Sequence, residues 1–411
     1  MPIMGTLRHF GTMRLAGGAA LAGALALLAA GAIAAQNPVS GPKKDEFQTS
    51  APYAILMDGE SGSILFEKNA DHVMAPSSLA KLMTAEVVFN EIKQGRLTLD
   101  KEFLVSEDAW RRGGAPSHTS SMFAPIFSRV AVKDLLYGVI IQSANDACIA
   151  LAQGIAGSEP KFAEMMTQRA RELGLTKSYF ANSTGLPDPT LLVTARELGR
   201  LAQHIIKTYP EFYPIYGEKE FTWNKIRQQN RNPLLTMNIG ADGLKTGFTQ
   251  DGGYGLVGSA VQNGLRLIVV VNGLKSANER AEAAKRLLEW GFKGFEARYL
   301  FAEGQAIGDA KLFGGAHGSV PLVARGTVTL LVPHGSNEKV LARIVYTGPV
   351  RAPVEKGQRI GVLKVWRGEN VVLEVPLQAA ESVEAGGITR RAFDAVSELV
   401  IGLFRPGSKR I

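Results

Sequence analysis

The stretch "GYGLVGSAVQNGLRLIVVVNGL", residues 253–274, constrains the fold more than any other part of this chain. Two apolar runs flank Asn263-Gly264, a dipeptide whose tolerance of left-handed backbone suits a two-residue hairpin turn. Runs this apolar read as strands of a sheet rather than as surface segments. Far upstream, "YAILMD" and "SILFEK" form a second strand pair around Gly59 to Gly62. The segment between the pairs carries helical patterns: a helix from about Ser78, then "VKDLLYGVIIQ", "DACIALAQGI", "KFAEMMTQRARELGL" and "TARELGRLAQHII". One more helix is predicted from Asn278 to about Trp290. Strands at both ends of a helical segment predict an α+β fold, a sheet covered by helices and built from distant parts of the chain.

From about Gly294 to Glu384 the texture changes to short Val/Leu runs broken by Gly and Pro, such as "VPLVARGTVTLLVP" and "VVLEVPL". This predicts a small β-sandwich as a second domain. The end, residues 386–411, sets Ile388, Phe393, Val396, Leu399 and Leu403 on one helical face and Arg390, Arg391, Asp394 and Glu398 on the other. It is too short and too charged to span a bilayer. An amphipathic helix docked on the β-domain and one lying on an anionic membrane, with Arg405 and Lys409 at the headgroups, share this pattern. At the other end, Arg8 and Arg14 precede an uncharged Ala/Leu/Gly run that closes in small residues, so residues 1–35 are read as an export signal. A polar linker, 36–51, follows it. The remainder is then expected outside the cytoplasm.

Composition removes several function classes. The net charge of +8 is spread along the chain rather than gathered into an aromatic-studded basic stripe, which argues against a nucleic-acid groove. Cys148 is the single cysteine, so no intramolecular disulfide forms, and the six histidines show no His-Glu-x-x-His pattern or Cys/His cluster. A mechanism without metal or cofactor is expected.

Through "PSSLAKLMTAEVVF" and the turn after it, Leu82, Ala85, Phe89 and Ile92 define a buried helical stripe, and Ser78 and Lys81 lie on or beside it. A lysine turned inward is driven toward its neutral amine, which can take a proton from a serine one turn away. That serine also sits at the first turn, where free N–H groups stabilise developing negative charge. Alone, Ser-x-x-Lys reads equally as a capping serine beside a snorkelling lysine.

Partners follow in order. "QSANDA" supplies Ser143 and Asn145 between two helical patterns, and "DGLKTGFT" supplies Lys245, Thr246 and Gly247 on entry to the strand pair. The three motifs resemble the active-site motifs of penicillin-binding proteins and serine β-lactamases, and the chain around them looks most like the D-alanyl-D-alanine carboxypeptidases. That resemblance implies an antiparallel sheet covered by helices over 52–293, a transpeptidase-like serine carboxypeptidase domain. A β-rich second domain over 294–385 and an anchoring helix over 386–411 would follow it.

The resemblance also implies roles. Ser78 would attack the penultimate D-alanine carbonyl of a peptidoglycan stem peptide, with Lys81 as general base. Ser143 would relay the proton to the leaving amine, Asn145 would hold Lys81 and the substrate amide, and Lys245 would keep the site positive so that Lys81 stays neutral. Thr246 would meet the terminal carboxylate. The N–H groups of Ser78 and Phe248 would form the oxyanion hole. Arg231 and Arg280 match positions at which the family places a cation, although each also reads as a plain surface charge. β-Lactam antibiotics would acylate Ser78.

Two features depart from, or compete with, this reading. Many members of the family carry histidine after Lys-Thr-Gly, where this chain has Phe248, so a side-chain contact to the substrate carboxylate is lost while the backbone N–H is kept. A β-lactamase of the commonest class needs a glutamate to activate the deacylating water; Glu172 in "RELGLT" lacks the companion residues of that loop. A slow wall-binding or antibiotic-sensing protein would use the same pocket. Gly253-x-Gly255-x-x-Gly258 formally matches a dinucleotide fingerprint but lies in a strand and opens no helix.

Overall fold

The computed structural model describes residues 47–336 and 340–387. The expected export signal, most of the linker and the amphipathic tail lie outside them, apart from residues 47–51 and 386–387.

In chain order the first domain comprises strands β1 (Tyr53–Asp58) and β2 (Ile64–Lys68), helix α1 (Lys81–Lys93), β3 (Glu102–Leu104), α2 (Glu107–Gly113), β4 (Arg129–Ala131) and α3 (Val132–Tyr137). Then come α4 (Asn145–Ala156), α5 (Glu159–Glu172), α6 (Ala195–Thr208), the hairpin β5 (Glu220–Trp223) and β6 (Ile226–Gln229), β7 (Ala241–Thr249), β8 (Gly253–Gln262), β9 (Leu265–Leu274) and α7 (Ala277–Gly294). The main sheet runs β2-β1-β9-β8-β7. All its pairings are antiparallel, so the first and last strands of the domain meet at its centre through Tyr53↔Asn272 to Asp58↔Leu267. The hairpin turn is the expected one: Asn263 and Gly264 both have positive φ, 51° and 79°.

Both faces of this sheet are buried, which explains its apolar strands. Along β9, Ile268 and Val270 pack with the helical layer of α1 and α4–α6, while Leu267, Val269 and Val271 pack under α7 with Leu287 and Leu288. Helix ends follow local chemistry. Ser158, Thr194 and Ser276 cap α5, α6 and α7, the last accepting from the Glu279 N–H at 3.1 Å. The Glu279 carboxylate accepts in return from the Lys275 N–H at 3.1 Å. Part of the segment read as a linker is packed rather than free: the Phe47 ring lies 5.2 Å from Trp290 and 5.5 Å from Phe66.

Two helices differ from their sequence patterns. Every residue of α1 from Lys81 to Phe89 is buried, so it is a central helix sheathed on all sides rather than an amphipathic one. The pattern "VKDLLYGVIIQ" is not one helix either. It is α-helical to Tyr137 and π-helical over Gly138–Gln142, and the chain then turns at Ser143 with φ 63°. The wider turn is a device often found at functional sites.

Beyond α7, a two-stranded ladder pairs Phe295–Phe301 with Val328–Pro333, and a six-stranded sheet holds the remaining strands of 308–379. These sandwich-like sheets enclose their own core, which includes Ala310, Leu322, Leu330, Val365 and Leu377.

Gly113 ends α2 where a side chain would overlap the backbone of Asn145 and Asp146 at the start of α4. Gly113→Ala is therefore expected to lower stability by about 2 kcal/mol or more, read as a drop in thermal midpoint, because backbone atoms cannot rotate away as a flexible side chain could.

Candidate active site

The site begins at a tight turn. Ser77–Ala80 form one turn of 3-10 helix that runs directly into α1, with Ser77 in left-handed backbone at φ 51°. Ser78 thus lies in the first turn, as its sequence position suggested, and Lys81 is the first α-helical residue. The Lys81 ammonium is 1% exposed; its Nζ donates to Ser78 Oγ at 3.1 Å and to the carbonyl oxygen of Thr184. Burial pushes the Lys81 pKa down to about 8, and the Arg231 charge adds to the fall. Near neutral pH about one molecule in ten then carries the free amine, against a few in ten thousand for an ordinary lysine.

The loop that supplies Thr184 is held from three directions. Asn182 Oδ1 accepts from the N–H groups of Thr184 (3.2 Å) and Gly185 (2.7 Å) and from Thr184 Oγ1 (3.0 Å), folding the turn on itself. Thr84, on α1 one residue short of a turn beyond Lys81, donates its hydroxyl to the Ser183 carbonyl at 2.7 Å. Ser183 donates N–H and Oγ to buried Glu159, which also pairs with Arg112 at 2.7 Å. Gly185, at φ 78°, backs so closely onto Ser77 that any side chain there would overlap the Ser77 carbonyl.

The second motif spans the start of α4. Ser143 is buried, and its Oγ has no hydrogen-bond partner among the described residues. Asn145 donates its backbone N–H to the Ser120 carbonyl at 2.7 Å and its Nδ2 to Thr119 Oγ1 at 2.9 Å, leaving Oδ1 buried and without a partner among the described residues. The hydrogen bond expected between Asn145 and Lys81 is thus not the one formed: the amide leans on Thr119, and Thr184 serves the lysine. Asp146 pins the same 119–124 loop by accepting from Ser121 Oγ (2.7 Å) and the N–H groups of Met122 (3.0 Å) and Ala124 (3.1 Å). A buried polar atom left unpaired costs about 1–3 kcal/mol, and here Ser143 Oγ and Asn145 Oδ1 both bear that cost beside the nucleophile.

The third motif lies on β7, the edge strand, whose outer side carries no sheet partner among the described residues. Lys245 and Thr246 are buried, and Lys245 Nζ donates to the Thr246 carbonyl at 3.1 Å. Burial first, then the charges of Lys81 and Arg231, hold the Lys245 pKa well below the ordinary lysine range. The two amines share one enclosed site, so one of them releases its proton readily; the amine bonded to Ser78 is Lys81. A Cβ on Gly247 would stand 3.1 Å from Leu79 Cγ and from the Pro76 carbonyl, which is how closely the nucleophile turn approaches β7. Phe248 is 48% exposed and stacks on Tyr254, its cross-strand partner, with centroids 4.1 Å apart.

Both arginines are anchored. Arg231 Nη1 donates to Ser120 Oγ at 2.7 Å, joining it to the loop that holds Asn145, while the Arg280 guanidinium, from α7, lies over the Tyr254 ring at 5.7 Å. Both charges reach Lys245. Glu172 is half-exposed and paired with Arg169 at 3.0 Å at the end of α5, an unsuitable setting for activating a buried water. Sequence reasoning missed Thr119 and Ser120. The stretch "NSTGLPDP" from Asn182 resembles the family's loop beneath the site, but the sequence assigns it no chemical role, and the part played by Thr184 comes from the structure.

The D-alanyl-D-alanine carboxypeptidase family profile fits residues 37–276, and that of the penicillin-binding protein 5 C-terminal domain fits 295–385. The chain is similar to the D-alanyl-D-alanine carboxypeptidase DacC of Escherichia coli K12, with 40% identity over 366 residues covering 88% of this chain and 90% of that one. Among solved structures it resembles penicillin-binding protein 5 from Haemophilus influenzae at 38% identity and TM-score 0.70, over 82% of this chain and 99% of that one. Penicillin-binding protein D2 from Listeria monocytogenes in its ampicillin-bound form is 31% identical at TM-score 0.54, over 60% of this chain and 99% of that one.

Two outcomes test the site. Acylation by a penicillin should rise roughly tenfold between about pH 7 and about pH 9, because the reactive form is the amine and the Lys81 pKa is about 8; a flat profile in stopped-flow acylation would contradict this. Asn182→Ala, which frees the Thr184 carbonyl, should slow acylation by roughly ten- to a hundredfold while Ser78 remains present.

Proposed function

The chain belongs to the D-alanyl-D-alanine carboxypeptidase family, and from that premise we infer that Ser78 is the nucleophile of a serine-type D-Ala-D-Ala carboxypeptidase acting in cell-wall maturation. The observation that carries this reading is the Lys81 Nζ to Ser78 Oγ hydrogen bond of 3.1 Å, made by a buried lysine whose pKa falls to about 8. The substrate is a peptidoglycan stem peptide ending in D-Ala-D-Ala.

Lys81 takes the Ser78 proton as Oγ attacks the carbonyl carbon of the penultimate D-alanine. The N–H groups of Ser78 and Phe248 hold the resulting oxyanion, one from the nucleophile turn and one from the edge strand. The proton on Lys81 passes through Ser143 Oγ to the nitrogen of the terminal D-alanine, the C–N bond breaks, and free D-alanine leaves. Water then attacks the ester with its proton accepted by Lys81, which returns a proton to Ser78 Oγ as the ester C–O bond breaks, and the shortened stem peptide departs with its new carboxylate. Asn145 Oδ1, unpartnered among the described residues, accepts from the substrate amide. Thr246, with Arg231 and Arg280, receives the terminal carboxylate, and the Arg231 charge favours the neutral form of Lys81, beside which lies the buried Lys245 amine. β-Lactams acylate Ser78 by the same first step. Phe248 offers an aromatic face where the family commonly has a histidine, so it alters the fit of the carboxylate and the rate of deacylation rather than acylation itself.

The reading extends to location. The run of residues 1–35 supports export, and the amphipathic pattern of 386–411 supports attachment to the periplasmic face of the inner membrane through anionic headgroups. If a protein lacking the export signal and truncated after Gly386 still sediments with anionic vesicles, that attachment is wrong.

The deciding experiment is release of D-alanine from a stem pentapeptide. Release should be lost by at least about a thousandfold in Ser78→Ala, and a fluorescent penicillin should label Ser78 alone. Release that persists in that variant, or a label on another residue, would overturn the assignment.

A further inference from the structure

Ser77, which precedes the nucleophile, is a second serine in "PSSLAK" that the mechanism does not use. It is 2% exposed and held in left-handed backbone at φ 51°, a conformation a non-glycine residue adopts only when its surroundings impose it. Its hydroxyl meets Thr249 Oγ1 at 2.7 Å, and Thr249 Oγ1 also accepts from the Gly252 N–H at 3.1 Å. Two glycines close on Ser77. A Cβ on Gly252 would stand 2.6 Å from Ser77 Oγ, and Gly185 abuts the Ser77 carbonyl from the other side. The Ser77 hydroxyl thus ties the nucleophile turn to the end of β7, although 172 residues separate its two partners.

Its position gives this bond a use. Ser78 follows Ser77 and Phe248 precedes Thr249, so the side-chain bond spans the neighbours of the two N–H groups that hold the oxyanion. Those groups belong to separate segments, and no shared ladder fixes their distance, because β7 is the sheet edge and the nucleophile turn is not a strand. An oxyanion hole works only when both donors converge at about 2.7–3.1 Å on the developing charge.

We propose that the Ser77–Thr249 hydroxyl pair is a clasp that sets the separation of the two oxyanion-hole donors, making Ser77 and Thr249 positioning residues for acylation. This rests on the assignment of Ser78 as nucleophile. The clasp contributes little to ground-state binding, since the carbonyl gains its charge only in the transition state.

The test is acylation of the full chain by a fluorescent penicillin, with the limiting rate constant and the half-saturation concentration resolved separately. Ser77→Ala and Thr249→Val should each lower the limiting rate by about ten- to a hundredfold, with half-saturation and thermal midpoint nearly unchanged. Thr249→Ser, which keeps the hydroxyl, should restore the rate. Ser77→Gly relieves the left-handed backbone but lacks the hydroxyl, so it should be as slow as Ser77→Ala. The double variant Ser77→Ala/Thr249→Val should be no slower than either single one, since both remove one bond. The clasp is refuted by a parental rate in Ser77→Ala, by recovery in Ser77→Gly, by independent multiplication of the two losses, or by failure of Thr249→Ser to rescue. Ser78→Ala run alongside separates the two levels: labelling that survives there defeats the nucleophile assignment. Labelling lost there, with Ser77→Ala unaffected, defeats the clasp alone.

Discussion

Burial of the Lys81 amine between Ser78 Oγ and the Thr184 carbonyl is the constraint on which the rest of this domain depends. An isolated buried ammonium is costly by several kcal/mol, and the cheapest relief is loss of its proton. The fold keeps that relief available: α1 is enclosed along its first half, Cys148 faces the lysine as a neutral thiol whose own pKa is pushed up to about 12 by burial, and the nearest formal charges include other cations. The same enclosure orders the supporting shell. Arg112, Glu159, Ser183 and Thr84 form a chain of polar contacts whose outcome is the placement of one carbonyl oxygen.

Around the amine, the positive groups are graded by how firmly they are tied. Lys245 is buried at the strand; Arg231, just beyond β6, is tied to the 119–124 loop through Ser120; Arg280 rests on an aromatic ring at the rim. A substrate ending in a carboxylate meets this field before it meets the nucleophile. Cations near a transferable proton also bias it away from Lys81, so recognition and base activation draw on the same charges.

Much of the site was legible because its chemistry sits in side chains of unusual type and spacing. Ser78, Lys81, Ser143, Asn145 and Lys245 stand out in the sequence, and the strand pairs betray themselves through the apolar runs of β8 and β9 around Asn263-Gly264. What remained hidden is carried by backbone. Thr184 acts through its carbonyl, which every residue possesses. Thr119 and Ser120 lie in an irregular loop without periodicity, and the π-turn of Gly138–Gln142 differs from an α-helix by where hydrogen bonds fall, not by composition. The all-round burial of α1 does not show in its sequence because Thr84 and Glu86 look like surface residues until Thr84 is found donating to the Ser183 carbonyl and Arg169 and Tyr209 to Glu86 Oε1.

The sheet order carries a consequence in time. Because β1 and β9 are neighbours at its centre, the sheet cannot close until nearly the whole domain has been made and the intervening helical segment has been looped out, a non-local pairing that is intrinsically slow. Until then Lys81 is a solvated lysine with its proton in place, and Ser78 an ordinary alcohol. The unfinished chain is therefore chemically silent: reactivity toward strained amides appears only with the last strand.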